Sequence, residues 1–228
     1  MAEAWIESVG KVRKLTARII VISGIDGSGK STIIEGVERV LLKAGHSTYT
    51  PWLRYNHYLT KGVFALAKLF GLYSYDIKNG KRVAGYHDFY RSRLISIMFV
   101  LSTFVDTLFA SLVKVYIPAY VLRKTVICDR WVPDILIDIA IDTGKSSLEK
   151  DWVWKLMWKL VPNSAKALVI MRGTQDVLDS RKENRNSRNF DLRLSMYKQL
   201  CELVDGQTID NSGSVSQSVN QVKEIVFS

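Results

Sequence analysis

The chain has 228 residues, 47% of them hydrophobic and 24% charged, a balance that excludes disordered and collagen-like classes and suits one well-buried core. Its two cysteines, Cys128 and Cys201, lie far apart, which excludes a disulfide scaffold or a thiolate zinc site; Cys128 reads as a buried free thiol, and a reducing cytoplasm is the expected location. The formal charge of +10 raises nucleic acid as a partner, but the excess concentrates in two segments, 54–93 and 181–198, so its placement decides more than its total.

Residues 1–16 mix charge with Trp5, Ile6 and Val9 and read as an N-terminal extension without the apolar core of a secretory leader. The domain proper is expected over 17–228. Residues 17–23 are a β-branched run ended by glycine, the pattern of a strand buried on both faces. Residues 31–44 carry Ile33, Ile34, Val37, Val40 and Leu41 at helical spacing and stop at Gly45. A second β-type piece covers 46–51, and the aromatic, basic segment that follows to Arg93 reads as helices and loops. The apolar stretch 94–122 reads as a buried helix ending near Pro118. Asp106, Lys114 and Pro118 argue against a membrane span, since a central charge opposes insertion by about 2.5–3.5 kcal/mol. Residues 125–128 and 167–171 read as further buried strands, 152–160 as a helix, 174–181 as a helix start, 211–220 as a loop, and 218–227 as the last helix. Strands alternating with helices predict an α/β fold, a three-layer sandwich with a central parallel sheet covered on both faces.

Between the first strand and first helix, residues 24–32 read Gly-Ile-Asp-Gly-Ser-Gly-Lys-Ser-Thr, which satisfies the P-loop spacing in the context that pattern requires. Gly24, Asp26, Gly27, Ser28, Gly29, Lys30, Ser31 and Thr32 are the expected nucleotide-binding residues. The glycines let backbone N–H groups turn onto phosphate oxygens, the helix N-terminus favours negative charge, and Lys30 bridges phosphates. Ser31 is an expected Mg²⁺ ligand. Asp129-Arg130, at the carboxyl end of the 125–128 strand, falls where open parallel sheets gather ligands. Asp129 is expected on the metal and Arg130 on the transferring phosphate. Arg181, Arg185 and Arg188, interleaved with asparagines, have the spacing of a solvated helix face; beside a phosphate site the same spacing suits a lid at about 181–193. Arg181 is expected on the nucleotide, Arg185 and Arg188 in catalysis.

With these pieces in place the chain resembles the thymidylate kinase family of nucleoside monophosphate kinases, from about Arg18 onward. The matching pieces are the glycine loop, the Ile-Pro-Ala step at 117–119, Cys-Asp-Arg-Trp at 128–131, the lid arginines and Ile-Asp at 209–210. The resemblance implies a P-loop NTPase fold, ATP and Mg²⁺ as cofactors, and transfer of the γ-phosphate to a nucleoside monophosphate, thymidylate first. It places Asp26 near the substrate sugar and gives the metal and phosphates to Asp129 and Arg130. It also implies a homodimer contact through the helix 94–117.

The acceptor half departs from the family. Its Arg-Glu-Pro-Gly-Gly stretch is replaced by Thr-Pro-Trp-Leu-Arg-Tyr-Asn-His at 50–57, its helix arginine by Asp-Thr-Leu at 106–108, and its Ser-rich piece by residues 131–138. Arg54, Arg91, Asp26 and Asp134 are the expected substrate contacts. A small-molecule phosphate acceptor is the expected partner, ahead of nucleic acid. A hydroxyl acceptor on a sugar, lipid head group or modified DNA base is a second reading, with Asp26, Asp134 or Asp138 as base. A nucleotide-dependent regulatory protein is a third. His57 and His87 read as ordinary hydrogen-bonded side chains, and Trp152, Trp154 and Trp158 as packing residues.

Overall fold

A computed structural model describes residues 15, 17–54, 56–78, 81–145, 152–171, 190–203 and 207–227. The extension before Leu15, the expected helix at 174–181, and Arg181, Arg185 and Arg188 lie outside the described residues.

Strand β1 (Ile19–Ser23) is buried throughout, and its period-two alternation distributes it between two cores. Ile19 and Val21 join one hydrophobic cluster, Ile20 and Ile22 another, as expected for a strand covered on both faces. Helix α1 (Lys30–Lys43) packs Ile33, Ile34, Val37 and Leu41 onto the second cluster. Strands β2 (Thr48–Tyr49), β5 (Thr125–Asp129), β6 (Lys166–Met171) and β7 (Gln207–Asp210) complete a five-stranded sheet in the order β2-β5-β1-β6-β7. Every pairing in it is parallel. The fold is thus α/β with helices on both faces of a parallel sheet.

Helices covering that sheet besides α1 include α4 (Val132–Asp142), α5 (Trp152–Trp158), α6 (Phe190–Leu203) and α7 (Val215–Phe227). Helix α7 starts ahead of the expected position, taking in part of the Ser/Gln/Asn-rich stretch. There Ser214 acts as the cap: its Oγ accepts from Gln217 N at 3.3 Å and its carbonyl from Ser218 N at 3.3 Å. Cys128 is fully buried and free, and burial raises its thiol well above the usual range. Trp154 and Trp158 stack 5.2 Å apart against the core, whereas Trp152 is exposed.

The segment expected as helices and loops up to Arg93 contains helix α2 (Thr60–Leu69) and an antiparallel hairpin, β3 (Tyr73–Lys78) with β4 (Lys81–His87). Tyr73, Tyr75 and Ile77 do alternate. Their lysine, serine and aspartate neighbours hide the period by composition, and what fixes the hairpin is tertiary: Tyr73 and His87 meet edge to face at 4.9 Å, and His87 stacks on Phe64 and Phe89 at 4.9 Å each.

The long apolar helix also differs from expectation. Helix α3 (Arg93–Ser111) does not stop at Pro118 but continues as π-helical turns over Leu112–Val121. Proline removes a donor and crowds the preceding carbonyls, and a wider turn moves those carbonyls aside. One face of this helix is core, with Ile95, Phe99, Ala110 and Val115 buried; the other is not, and Leu94, Ile97, Leu101 and Leu112 are exposed. It passes the length and composition test for a membrane span, with 44% of its most apolar window buried.

Asp106 explains how a carboxylate sits inside this helix. Its oxygens accept from Tyr58 N at 2.8 Å, Leu59 N at 2.9 Å, Thr60 N at 3.0 Å and Thr60 Oγ1 at 2.7 Å. These are the unpaired amides that begin α2, so Asp106 caps that helix from another element and meets its positive dipole end. Burial pushes the Asp106 carboxyl up, but the amides of Thr60, Leu59 and Tyr58 more than offset this and hold it below the usual range.

Candidate functional site

Because all five strands run the same way, the residues following β1, β2 and β5 share one edge of the sheet. There Asp26, Gly27, Gly29, Lys30, Ser31, Thr32, Trp52, Arg54, Asp129 and Arg130 line a cavity of about 620 Å³, within the range of small-molecule sites. Residues expected from three separate stretches of sequence therefore meet in one place.

The glycines of the loop are required by its shape. Gly24, Gly27 and Gly29 have φ of 149°, 95° and 90°, where a Cβ is strained. A Cβ on Gly24 would lie 2.4 Å from the Ile170 carbonyl oxygen, and one on Gly29 would lie 2.2 Å from Asn211 Nδ2. Asn211 holds the loop from outside, donating to the Ser28 carbonyl at 2.8 Å while accepting from Ser218 Oγ at 2.9 Å. Ser28 Oγ is buried with no partner among the described residues.

Lys30 is 6% exposed. Its ammonium donates to the Ile25 carbonyl at 2.7 Å. Burial, with Arg130 adding repulsion, lowers its pKa to about 8 against partial support from Asp134, Asp26 and Asp129. Asp129 ends β5, and burial raises its carboxyl against the pull of Arg130 and Lys30. Both groups are held in states that a nearby opposite charge would relieve. Ser31 and Thr32 are exposed on the first turn of α1, on the same wall.

Arg130 has φ of 62°, uncommon for a bulky side chain. That turn lets its amide continue the β5 ladder to the Ile22 carbonyl at 3.0 Å while its guanidinium reaches the glycine loop. Nη1 donates to Asp134 Oδ1 at 2.9 Å, and Nη2 pairs with Asp26. Tyr197 Oη also donates to Asp134 Oδ1, at 2.6 Å. Burial, then Asp134, hold the Tyr197 phenol well above its usual value.

Asp134, Asp138 and Asp142 recur every four residues and share one face of α4, and each has a partner. Asp138 receives Arg54 through Nε and Nη2, both at 2.8 Å, and Arg193 Nη1 at 2.6 Å. Burial pushes its carboxyl up, but the Arg54 and Arg193 guanidiniums outweigh this and lower it. Asp142 lies 2.9 Å from His87 Nδ1, and burial raises its carboxyl. Arg54 Nη1 stands 3.8 Å from Asp26 Oδ2, which ties the row back to the loop.

The expected residues thus divide. Gly27, Gly29, Lys30, Ser31, Thr32, Asp129, Arg130, Asp26 and Arg54 line the cavity; Gly24 and Ser28 shape its loop. Asp134 is 1% exposed and orients Arg130, so it does not reach the cavity as a substrate contact or base. Arg91 stands apart, exposed beside the Gly71 carbonyl at 3.5 Å. His87 is hydrogen-bonded to Asp142 as expected, and His57 packs edge to face on Phe64 at 4.8 Å with its pKa pushed below the usual value by burial. Sequence reasoning missed Asn211, Tyr197, Trp52 and the pairing of Arg193 with Asp138. Asn211 adjoins the Ile-Asp pair at 209–210, the one signal that could have found it; the rest carry no local pattern.

Fold and site together define a three-layer α/β protein with a polar, glycine-floored crevice at the carboxyl edge of its parallel sheet. No protein-family model matches the chain, and no curated protein matches it.

Proposed function

We propose that this is a P-loop nucleoside triphosphatase-type kinase that transfers the γ-phosphate of Mg-ATP to a nucleoside monophosphate, thymidylate first. The observation that carries the reading is the convergence of Lys30, Ser31, Asp129 and Arg130 on one cavity with the glycine loop as its floor. The residues present suit the ligands: a Cβ at Gly24 or Gly29 would clash with the loop's surroundings, the unpaired Ser28 hydroxyl adjoins it, and the Lys30 ammonium is a buried charge whose pKa burial lowers to about 8. Ser31 and Asp129 would hold Mg²⁺, which supplies charge neutralisation on the phosphates when bound.

Lys30 would bind the β- and γ-phosphates, and Arg130, oriented by Asp134 and Asp26, would stabilise charge on the transferring group. An acceptor oxygen forms the new bond to the γ-phosphorus, the bond to the β–γ bridging oxygen breaks, and ADP leaves with that electron pair. A phosphate acceptor is already ionised, so no protein base is needed. Arg54 Nη1 faces the crevice beside Asp26 and is the acceptor contact this reading assigns. Arg181, Arg185 and Arg188 belong to it as lid residues by sequence pattern alone.

A second reading, a hydroxyl acceptor, is favoured by the exposed Asp26 carboxylate in the crevice. Arg54 and Arg193 share the single Asp138 carboxylate, and Asp26, paired with Arg130, keeps a side chain 49% exposed to take a proton. The test is ADP formation from Mg-ATP with thymidylate, other nucleoside monophosphates, a sugar panel or DNA. Turnover with thymidylate upholds the first reading, and turnover only with sugars or DNA replaces it with the second. Tight nucleotide binding without turnover on any acceptor overturns both and favours a regulatory switch.

A further inference from the structure

Between Leu94 and Leu122 twelve large apolar side chains are exposed, following one face of α3 and its π-helical continuation for about 40 Å. The face widens onto α2, where Leu69 is 83% and Phe70 70% exposed. The lead-in to α2 meets α3 at the surface through Tyr58 and Phe109, whose rings meet edge to face at 5.6 Å. A soluble monomer rarely leaves so large a contiguous apolar patch.

Charge identifies what covers it. Residues 58–124 hold ten Lys and Arg, three Asp and no Glu. Asp88 and Asp106 are buried, so among the described side chains of this face no carboxylate is exposed. Exposed Lys61 and Lys68 lie on α2, Arg91 and Arg93 at one end of α3, and Arg123 at the far end of the π-helical segment. A two-fold contact between copies would set this basic border, with no exposed carboxylate among its described side chains, against itself. An anionic lipid surface is its complement, taking the apolar side chains into the acyl boundary and the basic border among the head groups. Spanning is ruled out for the folded chain, because Ile95, Phe99 and the Asp106 cap of α2 occupy the opposite face of the helix.

We propose that α2 and α3 form a docking face on which the folded protein lies flat against an anionic bilayer. The inference rests on burial and charge alone and is independent of the phosphotransfer reading. It is tested by sedimenting the full chain with vesicles of phosphatidylcholine, or of phosphatidylcholine containing about one-third phosphatidylglycerol. The expected result is at least tenfold more protein on the anionic vesicles, a gain removed by about 0.5 M salt and by Lys61→Glu with Lys68→Glu. Leu69→Glu with Phe70→Glu should weaken binding tenfold or more without altering thermal unfolding, because both side chains project into solvent. Protein that stays in the supernatant, partitions equally to neutral vesicles, or binds unchanged in either double variant overturns the proposal. So does a solution dimer that Leu69→Glu with Phe70→Glu converts to monomer, which would assign the face to a second copy.

Discussion

Lys30→Met separates what the lysine does for phosphate from what it costs the fold. The ammonium is buried, and its pKa falls from 10.5 to about 8. That difference of about 2.5 units, at about 1.36 kcal/mol each, corresponds to roughly 3 kcal/mol of penalty for the charged form. The folded pKa is lowered, so the unfolded chain binds the proton more tightly. The penalty is therefore complete below pH about 8 and disappears as pH rises toward 10.5, and stability on account of Lys30 increases across that window. Methionine removes the penalty while giving up the hydrogen bond to Ile25, worth about 1 kcal/mol. At about pH 7 the variant should be more stable by about 1–2 kcal/mol, a rise of a few degrees in Tm for a chain of this size. On the proposed reading, phosphotransfer should fall by about 10² or more. Urea denaturation of both proteins at several pH values, with turnover measured alongside, provides the assay. A variant less stable than wild type at neutral pH, or a gap that does not narrow above pH 8, would refute the assignment of Lys30 as a buried charge awaiting phosphate.

Gly29→Ala should lower Tm and, on the proposed reading, weaken nucleotide binding, because its Cβ displaces Asn211 from the loop; titration of a fluorescent ATP analogue and circular dichroism check this. Asp106→Ala should destabilise by about 2–4 kcal/mol in urea denaturation, since it strands three amides and the Thr60 hydroxyl. The folded pKa of Asp106 is lowered, so its contribution is present above the unfolded value of 3.8 and lost as pH falls through the folded one. Asp138→Asn should cost about 3 kcal/mol by leaving Arg54 and Arg193 without their shared anion. Restored stability in Asp138→Asn combined with Arg54→Met and Arg193→Met, measured in the same denaturation series, would identify the unpaired charges as the cause.

Features legible along the chain are those that lie within one contiguous stretch. The β1–loop–α1 unit spans residues 19–43, and its alternation, glycine spacing and helical period are all set by neighbours along the chain. The same holds for Asp129-Arg130 at the end of a short apolar strand. Tertiary structure decided the rest, because the deciding partners are remote. Asp106 reads as a flaw in an apolar helix until α2 brings three amides to it from 46 to 48 residues away. Asn211 reaches the glycine loop from 183 residues away, and Arg54 reaches Asp138 across 84. Arg91 and Asp134 looked like substrate contacts by charge and position; folding put one on the surface and the other under Arg130. A side chain's identity states which bonds it can make, and only the packed chain states which donor or acceptor comes within 3 Å to make them.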